Sequence, residues 1–496
     1  MARTKNLETW LANEGQPLDN WSPLRGTPTQ VALVEAAVKN LVKAIPTRII
    51  TKDMPRVAQV GFYQELITGV PALRTAPQPN TPLLRAMLGR KFIDYFAGFG
   101  GVTCAALANG LQVESYNHNP HAVAVGALNF DGRHFVADLG ALPEIIDELR
   151  FEGPGQVPME DADFVWNSAP CPPHSQARVT GRQSDKVKAT EATRREALMK
   201  ARLAADAVFA YLDVYRPPFL FTENVPPFGK WAESSGWLAE WDRRGYTTTV
   251  LSLNSRFFGV AQSRDRLVYV HARNDVAHKI DLTFTAPAWC PNCHRDVEGR
   301  QQFKNGRAHG SYGRQWIMVC PACATTVQPA NGSSMAQHID FADIGTPVAD
   351  RKAGFDQSRA RIAAGIDRLR QLGLPPQPIL IRQDFNSDPA HKRPGLPVSG
   401  IAPTIGCRQV FGLAFHPALM PGNDNGPLAH WPTPAEMTFR MVKPIELAGL
   451  MGFPNGLHLG DAALGNLRYA AVMLGNAVPP PLAGAVIERA AMALAS

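Results

Sequence analysis

The amino-acid sequence predicts an α/β protein, doubly wound around a mostly parallel sheet. Short apolar strands alternate with helices between Phe92 and His271, and this alternation favours a parallel sheet covered on both faces. The composition is that of a globular protein, with 45% hydrophobic and 19% charged residues in a chain of 496. At roughly 100–200 residues per domain, that length corresponds to two to four domains.

Six strands are expected in the alternating region, and the first of them leads through a glycine turn into a helix at Val102–Ala108. The longest helix is expected at Thr190–Tyr215, and others at Ser358–Leu372, Lys443–Met451 and Pro481–Leu494. The predicted strands are Phe92–Tyr95, Val113–Tyr116, Phe164–Asn167, Phe219–Phe221, Thr247–Leu251 and Leu267–Val270.

Four regions follow one another along the chain. Residues 1–88 form an N-terminal accessory region of unassigned role, with an amphipathic helix at Thr29–Ile45. Residues 89–272 hold the alternating strands and helices. Residues 273–435 are rich in Gly, Pro and Arg and are expected to form a smaller, irregular domain. Residues 436–496 return to helices and are expected to rejoin the domain of residues 89–272.

The sequence also indicates where the protein works. Its first fifteen residues, MARTKNLETWLANEG, contain no apolar run of the kind that a secretory signal needs. No stretch is expected to approach the roughly 18 apolar residues of a membrane span. We therefore expect a soluble cytoplasmic protein with no membrane partner. Four of the seven cysteines form two close pairs, which in a reducing compartment favours a metal site over disulfides.

Positive charge is concentrated in one segment. The chain carries 50 Lys and Arg against 43 Asp and Glu, a net charge of +7, which by itself could be an ordinary basic surface. The segment His174–Arg202, however, holds eight Lys or Arg residues and three acids. Such clustering favours a polyanionic partner.

Reactive side chains stand where the predicted strands end or begin. The turn FAGFGG at 96–101 would let a ligand approach backbone N–H groups at a helix start. Cys171 follows one strand and is either a nucleophile or a buried inert thiol. Glu223 ends another strand and could be a general acid or merely a cap. In QxRxR, Arg264 and Arg266 precede a third strand and could face a ligand, the sheet or solvent.

The order of these motifs resembles that of the C5-cytosine-specific DNA methyltransferase family. FAGFGG, Asp138, PC, ENV, QxRxR, Pro444-x-Glu446 and GNAVPPPLA succeed one another as they do in that family. The resemblance covers about residues 91–271 and 436–496. It implies that residues 89–272 and 436–496 form the catalytic domain and that residues 273–435 are the target-recognition region. It implies the Rossmann-like fold of S-adenosylmethionine-dependent methyltransferases.

The resemblance implies covalent catalysis on a cytosine that has left the duplex. In the family a cysteine thiolate adds to C6, so that C5 can attack the methyl group, and the matching residue is Cys171. Glu223 matches the glutamate that hydrogen-bonds N3 and the exocyclic amine, and Arg266 matches the arginine that reaches O2. Arg264 is grouped with these catalytic residues. The basic segment after the cysteine matches the loop that closes over DNA, with contacts expected from Ser175, Arg178 and Arg182.

The cofactor implied is S-adenosylmethionine. Asp138 matches the acid that contacts the adenine amine. Two departures from the family leave alternatives open. Pro172 follows Cys171 where the family usually has glutamine, and Asn117 stands where an acid holds the ribose. A neutral amide binds a diol with roughly half the strength of a carboxylate, so cofactor affinity is reduced or a modified sulfonium is used. The predicted cofactor residues are Phe96, Gly98, Gly100, Asn117, Asp138, Asn476 and Val478.

Two CxxC pairs separated by 26 residues have the spacing of a zinc ribbon, which we predict at 286–328. The predicted ligands of this structural zinc are Cys290, Cys293, Cys320 and Cys323. Basic residues surround them, with Tyr312 and Trp316 interleaved, a pattern that suits phosphate contact and groove insertion. A purely structural ribbon is the alternative. The predicted DNA contacts within the ribbon are Arg307 and Arg314.

We therefore predict a cytosine-C5 methyltransferase acting on double-stranded DNA, encoded by a bacterium or a phage. Three alternatives stay open: an RNA cytosine methyltransferase, a C5 transferase using a modified sulfonium cofactor, and an inactive DNA-binding protein. The last is disfavoured because Cys171, Glu223 and Arg266 are all present. The target sequence, a restriction endonuclease partner and the oligomeric state are left open.

Overall fold

The computed structural model describes most of the chain from residue 82 onward. The predicted helix Thr29–Ile45 lies outside the described residues. Those residues are 82–137, 139, 161–169, 205–230, 234–330, 332–351, 355–383, 394–407, 411–419, 428, 430–457, 459 and 467–495.

Seven strands form a mixed sheet in the order β3-β2-β1-β4-β5-β7-β6. All pairings are parallel except those of β7, which runs antiparallel to both β5 and β6. The mostly parallel sheet predicted from the sequence is confirmed. The strands are β1 (Lys91–Tyr95), β2 (Gln112–Asn117), β3 (Arg133–Val136), β4 (Phe164–Asn167), β5 (Phe219–Asn224), β6 (Tyr246–Asn254) and β7 (Asp265–Arg273).

The central strands begin with apolar, buried residues and end with polar ones. Phe164–Trp166 of β4 and Phe219–Phe221 of β5 have no exposed surface, as expected for strands covered on both faces. All six predicted strands are present. β3 was not predicted because it opens with Arg133 and His134. The His134 ring is nonetheless buried, where its Nδ1 shares a 2.7 Å hydrogen bond with the Ser115 hydroxyl.

Helices cover both faces of the sheet. α2 and α9 contribute to the hydrophobic cluster on one face, and α4 and α5 to the cluster on the other. The doubly wound arrangement is thereby confirmed for the described residues. The helices are α1 (Pro82–Met87), α2 (Gly101–Ala108), α3 (Pro120–Asn129), α4 (Val208–Val214), α5 (Ser234–Arg243), α6 (Asp356–Gln371), α7 (Pro444–Leu450), α8 (Leu467–Asn476) and α9 (Pro480–Ala495).

The C-terminal stretch Ala470–Ala495 is long and apolar enough to cross a membrane by length and composition, with a mean hydropathy of 1.5. The expectation that no stretch approaches this composition is therefore wrong. In the structure α8 ends at Asn476 and α9 begins at Pro480, so the stretch is two helices. About three-quarters of its most apolar window is buried (72%), and α9 packs against α2. The stretch is apolar because it forms core of the catalytic domain.

The predicted recognition region, 273–435, is not irregular. Its first part is a closed antiparallel barrel in the order β10-β11-β8-β9, which we call the ribbon (residues 285–329). Its core is small, consisting mainly of Trp316, Met318, Val327 and two alanines beside the cysteines. A core of this size needs further cross-links to be stable. The strands are β8 (Thr285–Cys290), β9 (Arg295–Phe303), β10 (Trp316–Val319) and β11 (Thr326–Pro329).

The rest of the region and its surroundings form a second sheet, with the order β12-β16-β15-β13-β14. Ile362, Ile366 and Leu369 on α6 pack against this sheet in a separate hydrophobic cluster. The sheet was missed because its strands have two to five residues and lie between segments rich in Gly and Pro. They are β12 (Thr346–Pro347), β13 (Ile379–Arg382), β14 (Leu396–Pro397), β15 (Phe411–Phe415) and β16 (Thr438–Met441).

A buried ion pair joins the second sheet to the catalytic domain. Arg440 on β16 donates from Nη1 and Nη2 to the two carboxylate oxygens of Glu446 on α7, at 2.8 and 2.6 Å. The backbone N–H groups of Asp340 and Lys443 also donate to this carboxylate. The side chains of Arg440 and Glu446 are 8% and 2% exposed. Glu446 of the Pro444-x-Glu446 motif therefore stabilises the domain junction.

Candidate active site and metal centre

The sheet brings two predicted catalytic side chains together. Glu223 is the penultimate residue of β5 and Arg266 the second residue of β7, and these strands are antiparallel neighbours. The Arg266 Nε lies 2.5 Å from Glu223 Oε1, and each side chain is 9% exposed. Ion pairs this deeply buried need well-matched geometry to offset the loss of solvation. The pair is thus held at one edge of the sheet.

The chain that leads to the predicted nucleophile reaches the same edge. Asn224, next to Glu223, donates from Nδ2 to the Ala169 carbonyl at 3.3 Å. Its Oδ1 accepts a hydrogen bond from the Val225 N–H, which fixes the amide orientation. Ala169 is buried and precedes Cys171 by two residues. The asparagine of ENV therefore ties the two motifs together.

Five predicted site residues lie outside the described residues, and their assignments stay predictions. They are Asp138, Cys171, Ser175, Arg178 and Arg182.

The predicted cofactor turn joins β1 to α2 at the point where the strand order reverses, between β1 and β4. Ligands of open α/β sheets bind in this crevice. Phe96, Gly98 and Gly100 all have positive φ, at 57°, 59° and 109°. A Cβ added at Gly98 would meet no atom within 4 Å, whereas one at Gly101 would lie 2.3 Å from the Val478 carbonyl oxygen. The turn is therefore open at Gly98 and packed against the C-terminal motif at Gly101.

Asn117 lies beside this turn, at the end of β2, and is 7% exposed. The Ala137 N–H donates to the Asn117 carbonyl at 3.1 Å, and Ala137 directly precedes Asp138. The residue that precedes Asp138 is therefore bonded to the end of β2. Asn476 and Val478 stand nearby in the C-terminal motif, the first exposed and the second 5% exposed. Sequence reasoning missed Cys407, whose thiol donates to the Asn476 Oδ1 at 2.9 Å.

Arg264 does not join the catalytic pair. Its Nη1 donates to the Ile405 carbonyl at 2.7 Å, and its Nη2 donates to the carbonyls of Gly475 and Ala477 at 2.6 and 3.2 Å. The side chain is buried against these groups, with the residue 2% exposed. The catalytic assignment of Arg264 is corrected to a positioning one, because its guanidinium holds the GNAV turn against the catalytic domain.

Asp94 is a buried acid that the sequence analysis passed over, although it stands alone in the apolar run KFIDYF. The Thr103 hydroxyl on α2 donates to its Oδ2 at 2.8 Å, while Oδ1 accepts from no described residue. Burial raises the pKa of Asp94 from 3.8 to about 7, and the hydrogen bonds from Thr103 offset only part of that rise. The carboxyl is therefore bonded to α2, the helix that follows the cofactor turn.

We expect Asp94 to make folding stability pH-dependent. Since its folded-state pKa is raised, its contribution is fully present below the unfolded pKa near 4 and is lost as pH rises to about 7. A shift of about three units corresponds to roughly 4 kcal/mol. In urea unfolding from about pH 4 to pH 8, Asp94→Asn should lose that much less stability than the wild type. The exposed Asp242→Asn is the control, and parallel curves for Asp94→Asn would contradict the expectation.

The four predicted zinc ligands meet at one end of the ribbon. The sulfur atoms of Cys290, Cys293, Cys320 and Cys323 all lie within 4.8 Å of one another. The residue after each CxxC pair, His294 or Ala324, has a left-handed backbone with φ of 48° and 59°. Both knuckles thus turn the same way around a common centre. Four thiolates at this spacing match the ligand set of structural zinc.

The ribbon presents its basic residues to solvent, whereas of its two predicted aromatic residues Tyr312 is half-buried and Trp316 is buried. Arg307 and Arg314 are exposed, in line with the predicted DNA contacts. Trp316 is only 2% exposed, and its indole N–H donates to the Gly310 carbonyl at 3.0 Å. Its predicted insertion into a groove is therefore wrong, because the ring fills the ribbon core. The exposed aromatic ring is Trp289, at 53%.

A cleft of about 520 Å³ lies where the ribbon meets the catalytic edge. One wall is the turn that follows Glu223, with Pro226, Pro227 and Gly229. The other wall is the ribbon segment 306–311 with Gln315. The exposed Arg307 therefore stands across a cleft from the turn that follows the catalytic carboxylate.

Comparisons with known proteins agree with the motif order. Residues 90–304 match the model of the family described as C-5 cytosine-specific DNA methylase, so the family predicted from the sequence is confirmed for that span. No curated protein matches the chain at a significant level.

Solved methyltransferase structures match the chain at low sequence identity. EhMeth of Entamoeba histolytica is 12% identical, with a TM-score of 0.41 over 81% of this chain and 98% of that one. DNMT2 of Spodoptera frugiperda is 15% identical, with a TM-score of 0.42 over 81% and 99%. Dnmt2 of S. pombe is 13% identical, with a TM-score of 0.41 over 80% and 97%.

Proposed function

We propose that this chain, whose residues 90–304 belong to the C-5 cytosine-specific DNA methylase family, methylates C5 of cytosine in double-stranded DNA. The methyl donor is S-adenosylmethionine. The observation that carries the proposal is the buried Glu223–Arg266 pair at the sheet edge to which Asn224 ties the approach to Cys171. Nucleophile, acid and cation then converge on one base.

The reaction follows from the chemistry of these three groups. The Cys171 thiolate adds to C6 of a flipped cytosine, and the electron pair of the ring double bond becomes available at C5. Glu223 holds the proton at N3 that stabilises the developing charge, and Arg266 donates to O2. Transfer to C5 would break the bond between the methyl group and the sulfonium, whose electron pair would stay on sulfur as a neutral thioether. A base would then take the C5 proton, and the C–H electron pair would restore the ring double bond as the Cys171 thiolate leaves C6. In the unliganded pair, Glu223 and Arg266 neutralise each other until the base arrives.

The residues present fit a sulfonium cofactor. The turn at 96–101 opens at Gly98 where the strand order reverses, and Asn117 ends the neighbouring strand. Bound S-adenosylmethionine supplies an electrophilic methyl group. Asn117 would hold the ribose through neutral hydrogen bonds, and Asp138 would hold the adenine. Arg264 fixes the turn that carries Asn476, because it donates hydrogen bonds to the carbonyls of the residues on either side, Gly475 and Ala477.

Zinc fits the ribbon because four thiols meet around one centre beside a core too small to be stable alone. Metal analysis of reduced protein should find one zinc ion per chain. Cys320→Ser should lose it, whereas Cys407→Ser, which changes a cysteine outside the cluster, should keep it. Full zinc content in Cys320→Ser would remove the proposed centre.

The substrate is tested by mass spectrometry after incubation with S-adenosylmethionine. Matched duplexes of DNA and RNA covering all short sequence contexts are treated with the protein and digested to nucleosides. We expect 5-methylcytosine from DNA alone. 5-Methylcytosine from RNA alone would assign the RNA alternative. A heavier cytosine adduct, formed only with a modified sulfonium, would assign the alternative based on Asn117.

A further inference from the structure

The ribbon is bonded to the residue that precedes Arg266. The Tyr312 N–H in the ribbon donates to Asp265 Oδ1 at 2.9 Å, and Asn254 Nδ2 donates to the same oxygen at 2.9 Å. The backbone carbonyl of Asp265 in turn accepts from the Arg266 Nη1 at 2.8 Å. Asp265 therefore accepts hydrogen bonds from the ribbon at its side chain and from the Arg266 guanidinium at its backbone carbonyl.

A second set of contacts fixes the ribbon to the neighbouring strand. Ser252 on β6 pairs with Leu267, the residue after Arg266. The Gly310 N–H of the ribbon donates to the Ser252 hydroxyl at 3.0 Å, and Gln301 Nε2 donates to its carbonyl at 2.7 Å. The ribbon is therefore held on both sides of the start of β7.

Aromatic packing adds to the contacts between the ribbon and the region around β6 and β7. Phe257, just after β6, packs edge-on against Tyr312 with ring centroids 4.9 Å apart and lies 5.6 Å from Trp316. The Arg256 guanidinium lies over the rings of Phe257 and Tyr312, at 5.6 and 5.4 Å. Since Trp316 belongs to the ribbon core, the junction is continuous with the barrel that carries the cysteines.

The ribbon also touches the turn that follows Glu223. A Cβ added at Gly229 would lie 2.6 Å from the His309 ring and 2.9 Å from Leu267. Glycine is therefore required for the ribbon to approach this closely. The ribbon segment 309–316 consequently reaches the elements that carry both members of the catalytic pair.

We propose that the metal-bound ribbon is part of the catalytic apparatus, with Asp265 as the positioning residue through which it orients Arg266 against Glu223. The inference rests on the proposed function and deepens it. Zinc stabilises the four-stranded barrel of β8, β9, β10 and β11. The barrel positions the Tyr312 N–H, and the hydrogen bond from that N–H fixes the Asp265 side chain. Losing either the metal or the Asp265 carboxylate removes the bond between the ribbon and the start of β7, so that the Asp265 carbonyl and the Arg266 side chain bonded to it shift relative to Glu223.

The first test separates positioning from DNA binding. Asp265→Ala should lower the single-turnover rate constant by about 100-fold, the scale expected when a catalytic group is misplaced by about 1 Å. The Kd values for DNA and cofactor should stay near those of the wild type. Asp265→Asn should retain most of the rate, since its carbonyl oxygen still accepts from Tyr312. Asp296→Ala, which removes an exposed ribbon acid, is the matched control. If Asp265→Ala weakened DNA binding but left the rate constant unchanged, the ribbon would contribute to DNA binding alone, and the proposal would be overturned.

The second test asks whether metal and Asp265 act together. Cys320→Ser and Asp265→Ala should each lower the rate, and the double variant should be no slower than the slower single one. Rate losses that multiply would show independent effects and overturn the proposal.

A third readout does not depend on turnover. Removing zinc from the full chain should increase hydrogen exchange in peptides covering 219–230 and 262–270, while the peptide of β1 stays protected. Unchanged exchange in both peptides would overturn the proposal. If the wild type proved inactive on every nucleic acid, the proposed function would fail, and this measurement would still decide whether the ribbon holds the pair.

Discussion

The Cys171→Ala protein is expected to transfer no methyl group to DNA while binding DNA and S-adenosylmethionine as the wild type does. Only the covalent step needs the thiolate, because cytosine C5 is too weak a nucleophile without addition at C6. DNA carrying 5-fluorocytosine at the target position makes the step visible. Fluorine cannot leave as the C5 proton does, so the wild-type protein should remain attached to the DNA on a denaturing gel.

A second cysteine variant controls for the loss of any thiol. Cys104 is buried in α2, and burial raises the pKa of its thiol well above the usual range, which makes it a poor nucleophile. Cys104→Ala should therefore still form the adduct with 5-fluorocytosine DNA. An adduct formed by Cys171→Ala, or none formed by the wild type on a sequence that it methylates, would refute the role of Cys171.

Glu223→Gln is expected to lower the methyl-transfer rate by about 10²–10⁴-fold, the usual contribution of general acid–base assistance. Glutamine keeps the shape of the side chain and can still hydrogen-bond, but it cannot supply or accept the proton at N3. The variant also places Arg266 beside a neutral group in a buried site, so the guanidinium loses its charge partner. Single-turnover kinetics on the identified target measures the chemical step alone.

The matched control changes a glutamate on the surface. Glu240 lies on α5, where its 45% exposed side chain forms ion pairs with Arg243 and Arg244, and it is not among the predicted site residues. Glu240→Gln should keep the wild-type rate. DNA affinity should be similar in both variants. A Glu223→Gln protein that keeps most of its single-turnover rate would show that the carboxylate does not take part in proton transfer.

Local patterns were enough to place six strands of the first sheet, the motifs and the four clustered cysteines. An apolar run such as Phe164–Asn167 is buried wherever it folds, so its identity as a strand does not depend on distant residues. The spacing within and between the CxxC pairs likewise limits where four sulfurs can meet. Motif order alone placed Glu223 and Arg266 in one site, and the structure brings them to 2.5 Å.

Contacts between distant segments decided the rest. Arg264 and Arg266 look alike in QxRxR, yet Arg264 binds carbonyls 141 and 211 residues away and Arg266 pairs with Glu223. Trp316 was expected at a DNA groove because an aromatic residue among arginines gives no local sign of burial. The strands of the second sheet are too short to show a period, so only their pairing reveals them.

The amino-acid sequence by itself determined the order of the motifs, six strands of the first sheet and the candidate side chains for the chemistry, because each depends on neighbours in the chain or on fixed spacing. The tertiary structure alone decided how those side chains are held. The Asp265 carboxylate accepts a hydrogen bond from the N–H of Tyr312, 47 residues later. The Asp265 backbone carbonyl accepts one from the Arg266 guanidinium. No local pattern encodes that link, since it exists only where the ribbon folds back onto the start of β7.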